Sequence, residues 1–315
     1  MRAGAAAGAL ALASLLAGRA GAGLIDCAAV VDRWNGAGMA APVAEWIEIY
    51  EQAHYDSDCE GPVVERIGLE IIGRELGPVR RAYERGGGDD ALRAVRDRLD
   101  ALQEFGSHWQ LSFLRGEVSR RLRDVPGALR AYQDALALVD DEELTAVAPT
   151  RDEVLLLRDR LDETAVVAAQ VLPSGVALPA TGSGELFSQY SFATRGFPRM
   201  LVLVPILFVY AKDVMTESGR ASFRDAYETL SAQGSPAIAV IGHTDPVGSA
   251  EYNRRLSLDR ANAVRSALTA LGYPGAITVD GKGEDEPFRF DDPGLYSLEV
   301  RHQAHRRVEL VLQEG

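Results

Sequence analysis

The part of the chain from residue 199 onward alternates short apolar runs with amphipathic segments. Apolar runs of this length are typical of buried strands, and apolar residues at every third or fourth position are typical of helices. The pattern predicts strands at 200–210, 237–242, 277–280 and 307–312, and helices at 216–230 and 250–271. Thr216 is the expected N-cap of the first helix. The order β-α-β-α-β-β indicates an α/β sandwich with its helices on one face of the sheet.

Before residue 173 the chain has the helical period. The pattern predicts helices at 42–55, 62–85, 108–122, 126–139 and 151–169, and one that begins at Asp89 as N-cap. Glycines within 62–85 leave open whether this segment is one long helix or two short ones. Leu92, Val95, Leu99 and Leu102 share one face, which should be buried. The fold class is therefore α+β, with a helical domain before the sandwich.

Residues 109–142 have some features of a tetratricopeptide repeat. The matching positions are Gly116, Ala128, Tyr132 and Ala135. Ser112 and Arg115 stand where that repeat has Trp and Leu, so the segment is at most one degenerate copy. Two interpretations stay open: a groove for a partner peptide, or a plain helical bundle in which small residues permit close packing.

A segment rich in Gly, Ser, Pro and Thr separates the two patterns. Such composition favours a linker. We assign the helical domain to 23–172, the linker to 173–198 and the sandwich domain to 199–315. A short strand is expected within 186–192.

The first residues are typical of a secretory signal peptide. Arg2 precedes a run of Ala, Gly and Leu over 3–18, and Ala20-Gly21-Ala22 offers an A-x-A cleavage site. We expect a signal peptide at 1–22 and a mature chain from Gly23; an uncleaved membrane anchor is the alternative.

Cys27 and Cys59 are the two cysteines of the chain. An even pair in an exported protein favours a disulfide. Closing a loop of about 30 residues should stabilise the fold by roughly 3–4 kcal/mol. Lipidation of Cys27 is the alternative, although Asp26 stands where a lipidation motif has a small residue.

The formal net charge of −13 argues against binding to nucleic acid and to anionic membrane surfaces. His302 and His305 lack carboxylate or cysteine partners at ligand spacing, so we predict no metal and no cofactor. A nucleophile elbow and a phosphate-binding glycine loop are also missing from the sequence, which argues against an enzyme.

The candidate chemistry follows the predicted strand 237–242. Asp245 comes just after this strand, and Arg260 lies on the next helix. A fixed carboxylate suits an ammonium group, and a planar guanidinium binds a carboxylate bidentately. Together they could hold both ends of an amino-acid head group. The alternative, which spacing alone favours, is a structural ion pair between Asp245 and Arg260.

These residues belong to a longer series of spaced matches. The series comprises Gly242-His243-Thr244-Asp245, Asn253, Leu256-Ser257, Arg260-Ala261, Val264, Gly281, Gly283, Pro287 and 306–310. In this order, it resembles the OmpA-like peptidoglycan-binding domain. The resemblance implies that Asp245 and Arg260 hold the diaminopimelate of the cell-wall stem peptide, and that Thr244, Asn253 and Arg306 line the rest of the site. Val209, Ala211 and His305 depart from the family pattern, which affects the rim of the site.

The resemblance also implies a non-catalytic protein of the periplasm, attached to peptidoglycan and near the outer membrane, with an envelope protein as partner of the helical domain. The alternative is an interaction scaffold whose C-terminal domain has lost wall binding; an enzyme that modifies peptidoglycan ranks third. On the helix 250–271, we expect Asn253, Ser257 and Arg260 to lie on a second face, apart from the apolar stripe of Leu256, Val264, Ala267, Leu268 and Leu271. Substitutions at Asp245 and Arg260 should then leave the fold intact.

Overall fold

The computed structural model describes residues 24–38, 40–139, 141, 144–145, 148–171, 189–192, 200–203 and 206–313. The predicted signal peptide lies outside these residues, and so does most of the predicted linker. The chain divides into two compact units, Met1–Ile71 and Ile72–Gly315. The assignment of domains made from the sequence stays a prediction. None of the helices in the described residues is long and apolar enough to cross a membrane.

The first unit contains α1 (Cys27–Ala37), α2 (Val43–Tyr55) and the beginning of α3 (Gly61–Glu84). Val30, Ile49, Ala53 and Ile67 form its core. Cys27 and Cys59 are joined by a disulfide, as predicted, with Cα atoms 4.7 Å apart. Helix α1 was not predicted; Asp26 begins it by accepting a hydrogen bond from the backbone N–H of Ala28.

We expect the double substitution of Cys27→Ser and Cys59→Ser to lower the free energy of unfolding of this unit by about 3–4 kcal/mol, because the unfolded chain regains the freedom of the open loop. Urea unfolding of the oxidised protein, followed by the fluorescence of Trp34 and Trp46, measures this difference. Wild type under reducing conditions is the matched control and should unfold at the same urea concentration as the double variant. A double variant as stable as oxidised wild type would contradict the prediction.

The helices of the second unit follow the predicted pattern closely. After α3 come α4 (Asp89–Leu102), α5 (Trp109–Arg121), α6 (Val125–Val139) and α7 (Arg151–Val171). The predicted face of α4 is buried. Asp89 was wrongly predicted as the N-cap of α4, because Gly88 holds that position. Asp89 lies in the first turn, where the positive end of the helix dipole stabilises its carboxylate. The glycines of 62–85 do not interrupt α3.

Helices α5 and α6 pack through a glycine and an aromatic ring. A Cβ atom on Gly116 would lie 2.5 Å from the Cε1 atom of Tyr132, so only glycine permits this approach. Ala128 and Ala135 are fully buried beside it. Residues 109–139 are all described, and none of their large apolar side chains is exposed. The packing agrees with a plain bundle; the repeat interpretation stays a prediction.

The sandwich contains the predicted strands and helices with one addition. The elements are β1 (Gln189–Phe192), β2 (Met200–Leu203), β3 (Ile206–Leu207), α8 (Glu217–Ala232), β4 (Ile238–His243), α9 (Ala250–Ala270), β5 (Ile277–Gly283), α10 (Leu298–His305) and β6 (Arg307–Leu312). One sheet has the order β3-β6-β4-β5, with β5 parallel to β4 and β6 antiparallel to β4 and β3. Its core includes Phe208, Leu230, Val240, Val264 and Val308.

Two details of the predicted sandwich were wrong. The predicted strand 200–210 is two strands in separate sheets: β2 pairs with β1, and β3 pairs with β6. The run contains Pro205, which has no N–H to give to a ladder. Helix α10 falls in a segment that the sequence pattern left irregular; its N-cap is Ser297, whose hydroxyl accepts from the N–H of Val300. Thr216 caps α8 as predicted.

Buried charges join the helices to the sandwich within the second unit. Glu163 of α7 accepts hydrogen bonds from the backbone N–H of Asp291 at 2.9 Å and from the hydroxyl of Tyr296 at 2.7 Å. Arg120 of α5 lies 3.4 Å from Glu163 and 3.2 Å from Asp291. Arg120 and Glu163 are 5% and 2% exposed. Because every charge has a partner, this group tolerates its burial.

Glu117 of α5 extends the same group. It accepts from the hydroxyls of Tyr83 at 3.0 Å and Tyr132 at 2.6 Å, and from Nε of Arg160 at 2.8 Å. Burial works against the ionised form of Glu117, but Arg120, Arg160 and the two hydroxyls hold the pKa of its carboxyl below the usual value. The carboxylate therefore stays charged in the packed state.

Substitution of Glu163→Gln should lower the free energy of unfolding of the second unit by about 3 kcal/mol, because Arg120 and Tyr296 lose their charged acceptor inside the protein. Chemical unfolding followed by circular dichroism measures it. Asp159→Asn, on the same helix but 58% exposed in its side chain, is the matched control and should change stability by less than about 1 kcal/mol. Equal effects of the two substitutions would refute the assignment of a stabilising role to the buried group.

Candidate ligand-binding site

The candidate site lies where β4 ends and the loop to α9 begins. Gly242 stands at the end of β4 because α9 crosses it closely: a Cβ atom there would lie 2.0 Å from the carbonyl oxygen of Ser257. The register of β4 against β5 shifts between Gly242 and His243, so that His243 lies opposite Gly283 at the end of the ladder. Ser249 then caps α9 by accepting from the N–H of Tyr252 at 3.2 Å. This geometry fixes the loop 244–249 between a strand end and a helix start.

Asp245 is held on both of its carboxylate oxygens. Oδ1 accepts from the backbone N–H of Val247 at 3.0 Å, which closes a turn, and Oδ2 accepts from Nη1 of Arg306 at 2.9 Å. Asp245 is 4% exposed and Arg306 is 3% exposed. The structural partner of Asp245 is therefore Arg306, which lies between α10 and β6, and not Arg260 as the alternative interpretation had it.

Arg306 is surrounded by acceptors and by an aromatic ring. Its Nη2 donates to Glu299 at 2.9 Å and also to Gln303. Its Cζ lies 5.5 Å from the centre of the Tyr210 ring, a cation–π distance. Glu299, Gln303 and Tyr210 were not among the predicted site residues. The N-cap signal of Ser297 could have revealed the helix that carries the first two.

Arg260 binds backbone carbonyl groups. Nε donates to Lys212 at 2.9 Å, Nη1 to His243 at 3.1 Å and Nη2 to Val209 at 3.2 Å. Its side chain is fully buried, and its Cζ lies 5.5 Å from the ring centre of Phe208. Arg260 therefore fastens the turn 209–214 to the end of β4.

Burial and the nearby Arg306 lower the pKa of Arg260 to about 10, while Asp245 opposes this shift. The guanidinium keeps its charge at neutral pH. One buried carboxylate thus lies among two buried guanidiniums, and the exposed Glu299 adds a second carboxylate beside Arg306.

The other predicted residues lie at the same end of the sheet. Asn253 is 1% exposed and donates to Oε2 of Glu284. Thr244 is 3% exposed; its N–H donates to the carbonyl of Gly283 at 2.8 Å, and its hydroxyl oxygen is buried without a hydrogen-bond partner. A ligand with a donor or acceptor could engage this hydroxyl. All five predicted residues are thus brought to one place.

The predicted division of α9 into two faces was wrong. Asn253, Ser257 and Arg260 are buried together with Ala261, Val264 and Leu268, whereas Leu271 is 49% exposed. The hydroxyl of Ser257 accepts from the N–H of Gly283 at 2.9 Å. The polar residues therefore belong to the packed face of α9, and Ser257 fastens this helix to the end of β5.

The histidines near the site have structural roles. His243 is 1% exposed, and its Nε2 lies 3.7 Å from Glu309. Despite burial, His243 and the 2.7 Å ion pair with Arg307 hold the pKa of Glu309 at about 2. Burial, Arg307 and His302 lower the pKa of His305 to about 4, so its neutral ring accepts from the N–H of Phe288 at 2.9 Å.

Comparison with known proteins identifies the domain. A model of the OmpA family matches residues 207–294. Outer membrane protein A of Shimwellia blattae is 38% identical over 85 residues, which are 26% of this chain and 35% of that protein. Outer membrane porin F of Pseudomonas aeruginosa is 34% identical over 88 residues, 27% of this chain and 25% of that protein. The chain spans well under half the length of these relatives. Its C-terminal part contains an OmpA family domain.

Solved structures also match this part of the chain. The peptidoglycan-associated lipoprotein from Burkholderia pseudomallei is 26% identical with a TM-score of 0.30, and the match covers 35% of this chain and 89% of that one. The cell wall anchor of the T6SS from Pseudomonas aeruginosa is 29% identical with a TM-score of 0.27, and the match covers 34% and 76% of the two chains.

Substitution of Arg260→Ala should lower the free energy of unfolding by about 3 kcal/mol, because the buried carbonyl of His243 and the partly buried carbonyls of Lys212 and Val209 lose the guanidinium as donor. This replaces the expectation from sequence that the fold would survive unchanged. Chemical unfolding measures the loss. Arg255→Ala, an exposed arginine on the same helix, is the control and should change stability by less than about 0.5 kcal/mol. An unchanged unfolding midpoint for Arg260→Ala would contradict the structural role.

Proposed function

We propose that this chain is a non-catalytic cell-envelope protein that binds peptidoglycan through the diaminopimelate of the stem peptide. The observation that carries the proposal is the meeting of Asp245, Arg260 and Arg306 at the end of β4, within the motif of an OmpA family domain. Diaminopimelate offers an ammonium and a carboxylate on one carbon atom, and the site offers a group of opposite charge for each. Thr244 and Asn253 lie beside this group and would contact the rest of the ligand.

The ion pair of Asp245 and Arg306 gives a physical account of how a zwitterion could enter. A ligand ammonium would take the place of Arg306 at Asp245, and the ligand carboxylate would take the place of Asp245 at a guanidinium. One internal ion pair would be exchanged for two pairs with the ligand, so no buried charge would be left alone. A ligand with one charge could not make this exchange.

Arg260 has capacity for the carboxylate beside its structural role. A guanidinium has five N–H donors, and the three carbonyl groups use one each. Because Arg260 is fully buried, a ligand can reach it only when Arg306 or the turn 209–214 moves aside. Tyr210, which is 55% exposed above Arg306, would have to move with them.

The relatives support the location. The two curated matches are named as outer-membrane proteins, and we propose a periplasmic position on the wall, near the outer membrane. The helical region would hold an envelope protein partner or set the distance to it. The scaffold interpretation, in which the C-terminal domain no longer binds the wall, is the alternative outcome of the experiment that follows.

The mature chain should sediment with purified sacculi, and Asp245→Asn should weaken binding by about 2–4 kcal/mol, because the ligand ammonium loses its carboxylate. Asp259→Asn, an exposed aspartate on α9, is the matched control and should bind as wild type does. Free diaminopimelate should displace the protein from sacculi, whereas cadaverine, which has ammonium groups but no carboxylate, should not.

The outcomes separate the two functions. Loss of binding in a folded Asp245→Asn variant, with normal binding of Asp259→Asn, supports wall binding through this site. If the wild-type chain does not sediment, the wall-binding proposal is wrong and the function as an interaction scaffold is favoured. Arg260→Lys is preferred to Arg260→Ala here, because it keeps a cation and lets folding be checked separately.

A further inference from the structure

A cleft of about 720 Å³ lies in the second unit between α7 and the segment 285–291. Leu156, Asp159 and Asp162 line it from α7, and Phe288 and Phe290 line it from the sandwich. A volume of this size is typical of sites for small molecules or for one or two side chains of a peptide. The predicted ligand residues of the β4 end do not line it.

The lining is acidic. Seven of the lining residues have carboxylates and three have guanidiniums. Most of these carboxylates are already paired. Asp291 lies 2.9 Å from Arg160, and Glu309 lies 2.7 Å from Arg307. On the rim, Asp285 pairs with Arg254 and Glu286 with Lys282.

Asp162 is different from the other carboxylates. It has no hydrogen bond or ion pair with any described residue, although it lies on the inner wall of the cleft. Arg158, the cation that favours the ionised form of Asp162, is engaged by Asp159 at 2.6 Å. The side chain of Asp162 is half-buried, and protein atoms surround its carboxyl group closely. This burial raises the pKa of the carboxyl to about 7, and the negative charges of Asp159 and Glu309 raise it further. A bound cation beside Asp162 would therefore stabilise the ionised form of its carboxyl group.

The aromatic side of the cleft is suited to the same kind of group. Cζ of Arg307 lies 5.5 Å from the ring centre of Phe288, so a guanidinium already lies over an aromatic face there. The rings of Phe288 and Phe290 are 5.0 Å apart, edge to face, and both are half-buried. They offer apolar contact beside a carboxylate, which a hydrated inorganic cation could not use but an organic cation with an apolar stem could.

We propose that this cleft binds an organic cation, a guanidinium or ammonium group on a short apolar stem, with its charge on Asp162 and its stem against Phe288 and Phe290. Two sources have this chemistry: a free polyamine, and an arginine or lysine side chain of a peptide segment. The site differs from the β4 end, where guanidiniums and carboxylates lie together and suit a zwitterion.

The first test is calorimetric titration of the full mature chain with two probes, agmatine and the capped peptide acetyl-Ala-Arg-Ala-amide. At least one should bind saturably with one-to-one stoichiometry, and Asp162→Asn should weaken that binding at least tenfold. Asp152→Asn, an exposed aspartate of α7 outside the cleft, changes the net charge equally and should bind as wild type does. Binding of agmatine alone indicates a polyamine; binding of the peptide indicates a basic segment.

A neutral probe tests whether contact of the apolar stem with the phenylalanine rings is enough for binding. The same peptide with citrulline in place of arginine has the shape without the charge and should not bind measurably. Because Asp162 has no partner to lose, its substitution should leave the thermal midpoint unchanged or higher, which keeps the test free of unfolding. Absence of saturable binding of both probes to wild type, or equal binding by Asp162→Asn and Asp152→Asn, would overturn the proposal. Sedimentation of Asp162→Asn with sacculi should stay normal.

Discussion

The buried guanidinium of Arg260 is the interaction on which the candidate site depends. Its three hydrogen bonds end on carbonyl groups of the last residue of β4 and of the turn 209–214. Burial of carbonyl groups at an irregular chain end is costly without donors. The N–H of Lys212 also donates to the carbonyl of Val209, at 3.2 Å. The same turn includes Ala211 at φ +52°, a conformation that a non-glycine residue holds only when its surroundings impose it. The hydrogen bonds of Arg260 hold this turn in place. They also hold the end of β4, where the loop that carries Asp245 begins.

Much of the sandwich could be predicted from sequence because its signals are local. Thr216 caps α8 by accepting from the N–H of Gly219, only three residues further along the chain. The lengths of the apolar runs indicated strands β4 and β6. The disulfide was predicted from two cysteines in a chain that we expected to be exported. Two helices were not predicted, α1 and the eight-residue α10, and the run 200–210, which contains Pro205, was predicted as one strand.

The five candidate residues lie together, as the sequence suggested, but their pairing was not predicted. Asp245 and Arg306 are 61 residues apart, and no spacing rule reports that they meet. Their contact follows from the antiparallel register of β6 against β4, which brings the start of one strand to the end of the other. Arg260 was expected to be free for a ligand because polar residues at intervals of three and four suggest a polar helix face. That inference fails where a helix covers the irregular end of a strand, since the carbonyl groups there need buried donors.

The central place of β4 has a mechanical consequence. It lies between β6 and β5, and the candidate site is at its carboxyl end, where Arg306 leads directly into β6. A pull on a ligand held by Asp245 and Arg306 would run along both strands. Ladder hydrogen bonds lie across the strand direction, so a force directed along β4 loads them side by side in shear and does not peel them one after another. A sheet with β4 at its centre therefore resists a force along this strand better than a force across it.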